Sequence, residues 1–316
     1  MDLQTDLIRI QPSLQLPLIR AASNGTAVAC AINVIRRKFE DRHQLSHQWR
    51  LRLSKRDSSA SDRTSNEFAG LVELYRQTLP CWSNTDLNVL LASAHLSETI
   101  LQTEPLVVEE VVDELVPKLH SILSQQSRFL RQVRLGPIVR TVDDGIELRL
   151  TIWNLIEGMM PIIQERDEKT ELAQCAKNNT IDLTEAAAID WVTLLGVGLN
   201  DSSMEVRIRV HTLLPKCLNS FDLTDSRWSQ LIDAVIASMR TAFAPSDAAT
   251  SSMRDDLLTL DELRRTVEQG AVDILAIMKQ IDSANWRSTS DGWKEKKKEF
   301  QQFLLQHHQR QQQQTQ

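Results

Sequence analysis

Apolar positions recur along this chain at offsets 0, 4, 7 and 11, the set that lines one stripe of an α-helix. Val28, Ile32, Ile35 and Phe39 fill it first. Val89, Ser93, Leu96 and Ile100 follow with one polar member, then Leu148, Ile152, Leu155 and Met159, then Val206, Val210, Leu213 and Cys217. Leu263, Val267, Gly270 and Ile274 close the series with one small member. The five stripes start 61, 59, 58 and 57 residues apart. One amphipathic helix is commonplace; five at near-constant spacing make a repeat.

Three of the stripes share a start signal. Asp144 stands three residues before Glu147, Ser202 before Glu205 and Thr259 before Glu262. That is the capping box, in which side chains satisfy otherwise unpaired N–H groups at a helix start. An apolar residue and an arginine follow each time: Leu148-Arg149, Val206-Arg207 and Leu263-Arg264. A second helical pattern precedes the stripes, through Phe68, Leu71, Val72, Tyr75 and Leu79; Val108, Val111, Val112, Leu115, Leu119 and Ile122; Trp191, Leu194 and Leu195; and Trp228, Leu231, Ile232, Val235, Met239 and Phe243. Two helices per unit predict an all-α fold, a HEAT-type α-solenoid of about five helix pairs across residues 1–282. The usual unit is about 40–47 residues, so insertions are expected, at Ser54–Asn66 and Gln164–Thr184. Residues 283–316 are expected to hold a short helix around Trp293, Phe300, Phe303 and Leu304, then a disordered Gln-rich tail from Gln306.

One segment breaks the helical period. In the segment that starts at Arg128, Phe129, Arg131, Val133 and Leu135 alternate with Leu130, Gln132 and Arg134, the period of a strand. Gly136-Pro137 interrupts, Ile138, Val139, Arg140, Thr141 and Val142 resume, and Asp143-Asp144-Gly145 opens the next helix. Two extended arms around a Gly-Pro turn predict a β-hairpin, although that dipeptide is not the favoured hairpin turn. Residues 128–142 hold four Arg and no acid. An isolated two-stranded hairpin is marginal in water, so one protruding from a helical stack is expected to contact a partner. The alternative is a long loop packed on its own repeat.

Composition agrees with the helical reading. Gly and Pro number 9 each in 316 residues, about half the ordinary share of roughly 12%, and aromatics are scarce at 5%. The formal charge of −6 gives no global sign of nucleic-acid binding. Four cysteines at 30, 81, 175 and 217 have neither zinc-ribbon nor redox spacing. The first ten residues do not resemble a secretory leader, and no apolar run is long enough to span a membrane. The chain lacks a P-loop, GxSxG, HExxH and a Gly-rich dinucleotide loop, so no enzyme class, catalytic residue or cofactor is expected. Asp41, His43 and His47, and the His307-His308 pair, are too few as ligands to predict a metal site. The basic run Arg36, Arg37, Lys38, Arg50, Arg52, Lys55 and Arg56 reads as a solvated or partner-facing surface.

Gly136-Pro137 followed by Thr141-Val142-Asp143-Asp144-Gly145-Ile146-Glu147-Leu148-Arg149 resembles the C-terminal part of the cullin-associated, neddylation-dissociated family. The resemblance extends to Leu199-Asn200-Asp201, to Leu257–Ala271, to Asn88–His95 and to Leu115-Val116-Pro117-Lys118-Leu119, covering about residues 87–281. It implies a non-enzymatic regulator of cullin–RING ubiquitin ligases that binds un-neddylated cullin, in the nucleus and cytoplasm. It further implies that a hairpin, corresponding here to Arg128–Asp144, occupies the docking site of the substrate-receptor adaptor and so promotes receptor exchange. Arg131, Gln132 and Arg134 stand where the family pattern is more acidic. Family members are several times longer, and Leu14, Leu16, Leu18 and Ile19 offer no polar cap to a repeat array. A separate chain supplying N-terminal repeats is therefore expected. A generic HEAT scaffold for another assembly is the competing expectation.

Overall fold

All twenty stripe positions are buried in the computed structural model, which describes residues 25–53, 61–177, 191–220, 225–243, 254–283 and 291–314. Each fully buried aliphatic side chain contributes roughly 1.5–3 kcal/mol, so the repeat seen in the sequence is the repeat of the core. The polar member, Ser93, is accommodated because its hydroxyl donates to the Val89 carbonyl one turn back at 2.8 Å. Ser97 does the same with the Ser93 carbonyl and accepts from the buried Tyr75 hydroxyl at 2.7 Å. Burial raises the Tyr75 phenol well above its ordinary range.

Among the described residues the chain forms eleven α-helices and one two-stranded sheet. They are α1 (Gly25–Leu53), α2 (Ser61–Thr78), α3 (Leu87–Thr103), α4 (Pro105–Glu109), α5 (Val112–Leu123), α6 (Ile146–Lys177), α7 (Trp191–Leu199), α8 (Met204–Ser220), α9 (Asp225–Ala242), α10 (Arg254–Ser283) and α11 (Asp291–Gln314). Strands β1 (Leu130–Leu135) and β2 (Ile138–Asp143) lie between α5 and α6. The fold is all-α and of HEAT type with one hairpin, as expected. The stripes lie on α1, α3, α6, α8 and α10.

The chain divides into two compact units, Met1–Ile122 with Ser127–Lys169, and Leu123–Gln126 with Thr170–Gln316. Within the first, stripe helix α1 packs on stripe helix α3. Within the second, α7 packs on α9 and α8 on α10, so like helices of successive repeats meet in layers. α11 packs on α9.

Four boundaries differ from the sequence reading. The pattern from Val108 to Ile122 is two helices, α4 and α5, separated by a turn at Glu110-Val111. Helix α2 begins at Ser61, inside the first expected insertion, and α6 continues to Lys177, inside the second; residues 54–60 and 178–184 lie outside the described residues. The Gln-rich stretch from Gln306 is helical through Gln314 rather than disordered. Gln, Lys and Glu are good helix formers, and the helix is fastened by Phe300, which is fully buried, and by His307, whose ring meets Phe243 edge-on at 4.1 Å. Leu14, Leu16, Leu18 and Ile19 lie outside the described residues.

The second unit also buries a polar cluster. Arg207 Nη2 donates to the Ser238 carbonyl at 2.6 Å and to Ser238 Oγ at 3.1 Å, and His211 Nε2 lies 2.9 Å from the same Oγ. With a guanidinium donating to Oγ, the hydroxyl hydrogen is available to Nε2, which suits a neutral imidazole. Burial, helped by the neighbouring Arg207 charge, pulls the His211 pKa down to about 3.

Candidate protein-interaction site

The hairpin exists as an antiparallel ladder in the register Leu130↔Asp143, Arg131↔Val142, Gln132↔Thr141, Val133↔Arg140, Arg134↔Val139 and Leu135↔Ile138. Gly136 and Pro137 form its two-residue turn. Gly136 adopts φ +64°, while the pyrrolidine ring holds Pro137 at negative φ. Positive then negative is the sign pattern of a type II′ turn, whose twist suits a hairpin. The Gly-Pro pair is thus compatible with a tight ribbon because glycine comes first.

Alternation divides the ribbon into two faces. Leu130, Gln132, Arg134, Val139 and Thr141 share one, and Arg131, Val133, Arg140 and Val142 share the other. The ribbon does not lie flat in a core. Leu130 is 41% and Val139 51% exposed, Gln132, Arg134, Arg140 and Thr141 are exposed, and Val133 and Val142 are half-buried.

What holds the ribbon is its root. The Asp143 carboxylate accepts the Gly145 N–H at 2.9 Å and both terminal nitrogens of Arg149, at 2.6 and 3.2 Å. The Arg149 side chain is only 1% exposed. Burial pushes the Asp143 carboxyl up, but the hydrogen bonds from Arg149 and the Gly145 N–H, with the Arg149 charge, leave it below the usual carboxylate range. Arg131 pairs with Asp144 across the root, and the Asp144 N–H donates to the Phe129 carbonyl at 3.2 Å. Arg128 donates to the Asn84 carbonyl at 2.6 Å and lies 5.4 Å from the Phe129 ring centroid. A Cβ on Gly145 would come within 2.8 Å of the Phe129 ring, so glycine permits that packing.

The sequence reading assigned the helix-start carboxylate to Asp144. It is Asp143 that meets the Gly145 N–H, and Asp144 turns to Arg131 instead. The same one-place shift recurs at α8, where Asp201 accepts the Ser203 N–H at 2.8 Å and Ser203 Oγ accepts from Val206 at 3.5 Å. The sequence carries a signal for the shift: Asp143 precedes Arg149 by six residues, and Asp201 precedes Arg207 by six. Burial lowers the Arg207 pKa, and the Asp201 charge opposes that shift.

The other candidates lie elsewhere. Asp41, His43 and His47 fall on α1, with side chains outside the described residues. His307 faces Glu268 at 3.5 Å in the second unit. In the basic run, Arg36 pairs with Glu40 at 3.5 Å and Arg37 is exposed. Among the described residues no group of three His, Cys, Asp or Glu is arranged for a metal ion, and no helix is long and apolar enough to cross a membrane.

Comparison with known proteins adds family information. The TIP120 family model, described as TATA-binding protein interacting (TIP20), matches residues 107–307. Cullin-associated NEDD8-dissociated protein 2 of Mus musculus is 20% identical over 190 residues, which cover 60% of this chain and 13% of the mouse protein. Its counterpart in Rattus norvegicus is 31% identical over 75 residues, 24% of this chain and 6% of the rat protein. The match therefore spans only a small part of these relatives' length.

Proposed function

The chain belongs to the TIP120 family, TATA-binding protein interacting (TIP20), and from that premise we propose that it is a non-enzymatic regulator of cullin–RING ubiquitin ligases. In this reading it binds un-neddylated cullin, and the ribbon of residues 128–144 takes the site at which the substrate-receptor adaptor docks. Two ligands that share one surface displace each other, so receptors exchange. The names of the mouse and rat relatives, which are cullin-associated and NEDD8-dissociated proteins, support the partner. The observation that carries the mechanism is an exposed ribbon whose root is held by hydrogen bonds from the buried Arg149 to Asp143, since a pre-ordered projection binds without a large ordering cost. A second polypeptide supplying further repeats, and residence in nucleus and cytoplasm, belong to the same proposal.

The test is competition. The full chain and a variant with residues 130–142 replaced by a short Gly-Ser linker are mixed with un-neddylated cullin, with and without its adaptor. TATA-binding protein, which the family description names, serves as a second bait. The expected result is that the variant keeps its helical circular dichroism and loses the ability to displace adaptor. Unchanged displacement would favour a generic scaffold role, as would binding to TATA-binding protein alone.

A further inference from the structure

The hairpin's four arginines divide into two pairs by their distance from the turn. Arg128 and Arg131 are spent at the root, on the Asn84 carbonyl and on Asp144. Arg134 and Arg140 flank the Gly136-Pro137 turn and are exposed, and among the described residues neither has an ion pair or hydrogen bond to its own chain. Their register sets them on opposite faces, because Arg134 pairs with Val139 while Arg140 pairs with Val133. A flat partner surface would engage one of them and leave the other in water. Leu130 and Val139 add exposed apolar area on the Arg134 face.

We propose that the ribbon's occupant is a two-walled acidic cleft in a partner protein, with a carboxylate on each wall, one reaching Arg134 and the other Arg140. The Arg134 wall also carries an apolar patch for Leu130 and Val139. The walls stand about 20 Å apart, since each side of the ribbon needs the roughly 10 Å spacing of face-to-face sheet packing. Guanidinium groups suit this role, because their planar fork meets a carboxylate with two parallel hydrogen bonds. This inference rests on the proposed cullin reading for the identity of the partner and specifies the chemistry of the surface engaged.

The experiment measures binding of the full chain to un-neddylated cullin at low and high salt, for wild type, Arg134→Ala, Arg140→Ala and the double variant. Both positions are exposed, so circular dichroism is expected to be unchanged. Each single substitution is expected to weaken binding by on the order of tenfold, and the double variant to lose most of the salt dependence. In parallel, Arg134→Lys and Arg140→Lys are coupled to the bound cullin with a zero-length carbodiimide, and the joined carboxylates are located by mass spectrometry. Coupling to carboxylates on two different structural elements supports the cleft. Loss of affinity at one position alone, or coupling of both lysines to one element, overturns it in favour of a flat surface. Equal binding by all variants overturns this inference while leaving the cullin reading standing. A wild-type chain without cullin affinity overturns both. Wild-type self-association that is abolished in the double variant overturns it in favour of a second copy of this chain.

Discussion

Asp143 and Arg149 are joined across the first turn of α6 by two hydrogen bonds, with Arg149 Nη2 2.6 Å from Asp143 Oδ2. The pair couples the last residue of β2 to the helix that follows, so the hairpin's foothold and the helix start are one structural unit. Six-residue spacing also brings Arg207 under the influence of the Asp201 charge, which opposes the lowering of its pKa by burial.

Removing Arg149 leaves a half-buried carboxylate without its cation, a change that costs on the order of 1–3 kcal/mol. Arg149→Met is expected to lower the urea midpoint of unfolding and to speed amide exchange in 130–143. Because the Asp143 carboxyl is held below its ordinary value, its contribution is complete above the unfolded-state value near 4. It is lost as pH falls through the lower folded-state value. Asp143→Asn is expected to remove that acid-limb loss, measured as the urea midpoint from pH 5 to pH 2.5.

His211 gives a second pH dependence, at less acidic pH. Its folded-state pKa of about 3 lies below the ordinary 6.5, so between these values the unfolded chain binds a proton that the folded chain refuses. Stability from this group is therefore full above pH 6.5 and declines as pH falls toward 3. Urea titrations at pH 7.5 and 5.0 are expected to show a smaller drop for His211→Gln than for wild type. An equal drop would exclude His211 as the cause.

Gly136 supplies the positive φ on which the tight turn depends. Gly136→Val forces a β-branched side chain into that region, at a cost of at least roughly 1–2 kcal/mol. The expected outcome is loss of cross-strand contacts between 133 and 140 in nuclear magnetic resonance spectra, with helical circular dichroism unchanged. Cullin binding is expected to weaken with the loss of the ribbon.

Phe300 fastens the last helix. Deleting a fully buried aromatic costs about 3–5 kcal/mol, so Phe300→Ala is expected to melt α11. Hydrogen exchange is expected to rise across 291–314 while α8 and α9 remain protected. Retained protection throughout α11 would mean the helix does not depend on that anchor.

The core was legible because a stripe of four side chains is a local property of sequence, and the buried positions from Val28 to Ile274 follow it. The hairpin was legible for the same reason, from the two-residue alternation through Phe129 and Leu135. Long-range partnerships were not legible. Nothing around Arg207 announces that the Ser238 carbonyl, 31 residues later, will accept its hydrogen bond, and nothing near Arg128 points to the Asn84 carbonyl, 44 residues earlier. Composition alone suggests that the Gln-rich tail has nothing to bury, whereas Phe300 on the same helix is buried and His307 meets Phe243. The capping pattern points to Asp144 instead of Asp143 because it counts back from Glu147 and ignores the strand that Asp143 also terminates.

The separation of root from tip has an evolutionary consequence. Substitutions at 134 and 140 break no bond within the described fold, so drift there is nearly free of folding constraint. Under the proposed function, lineages can in this way retarget the ribbon toward a new partner surface by trading charges at its end, while the Asp143–Arg149 clasp keeps the ribbon itself in service.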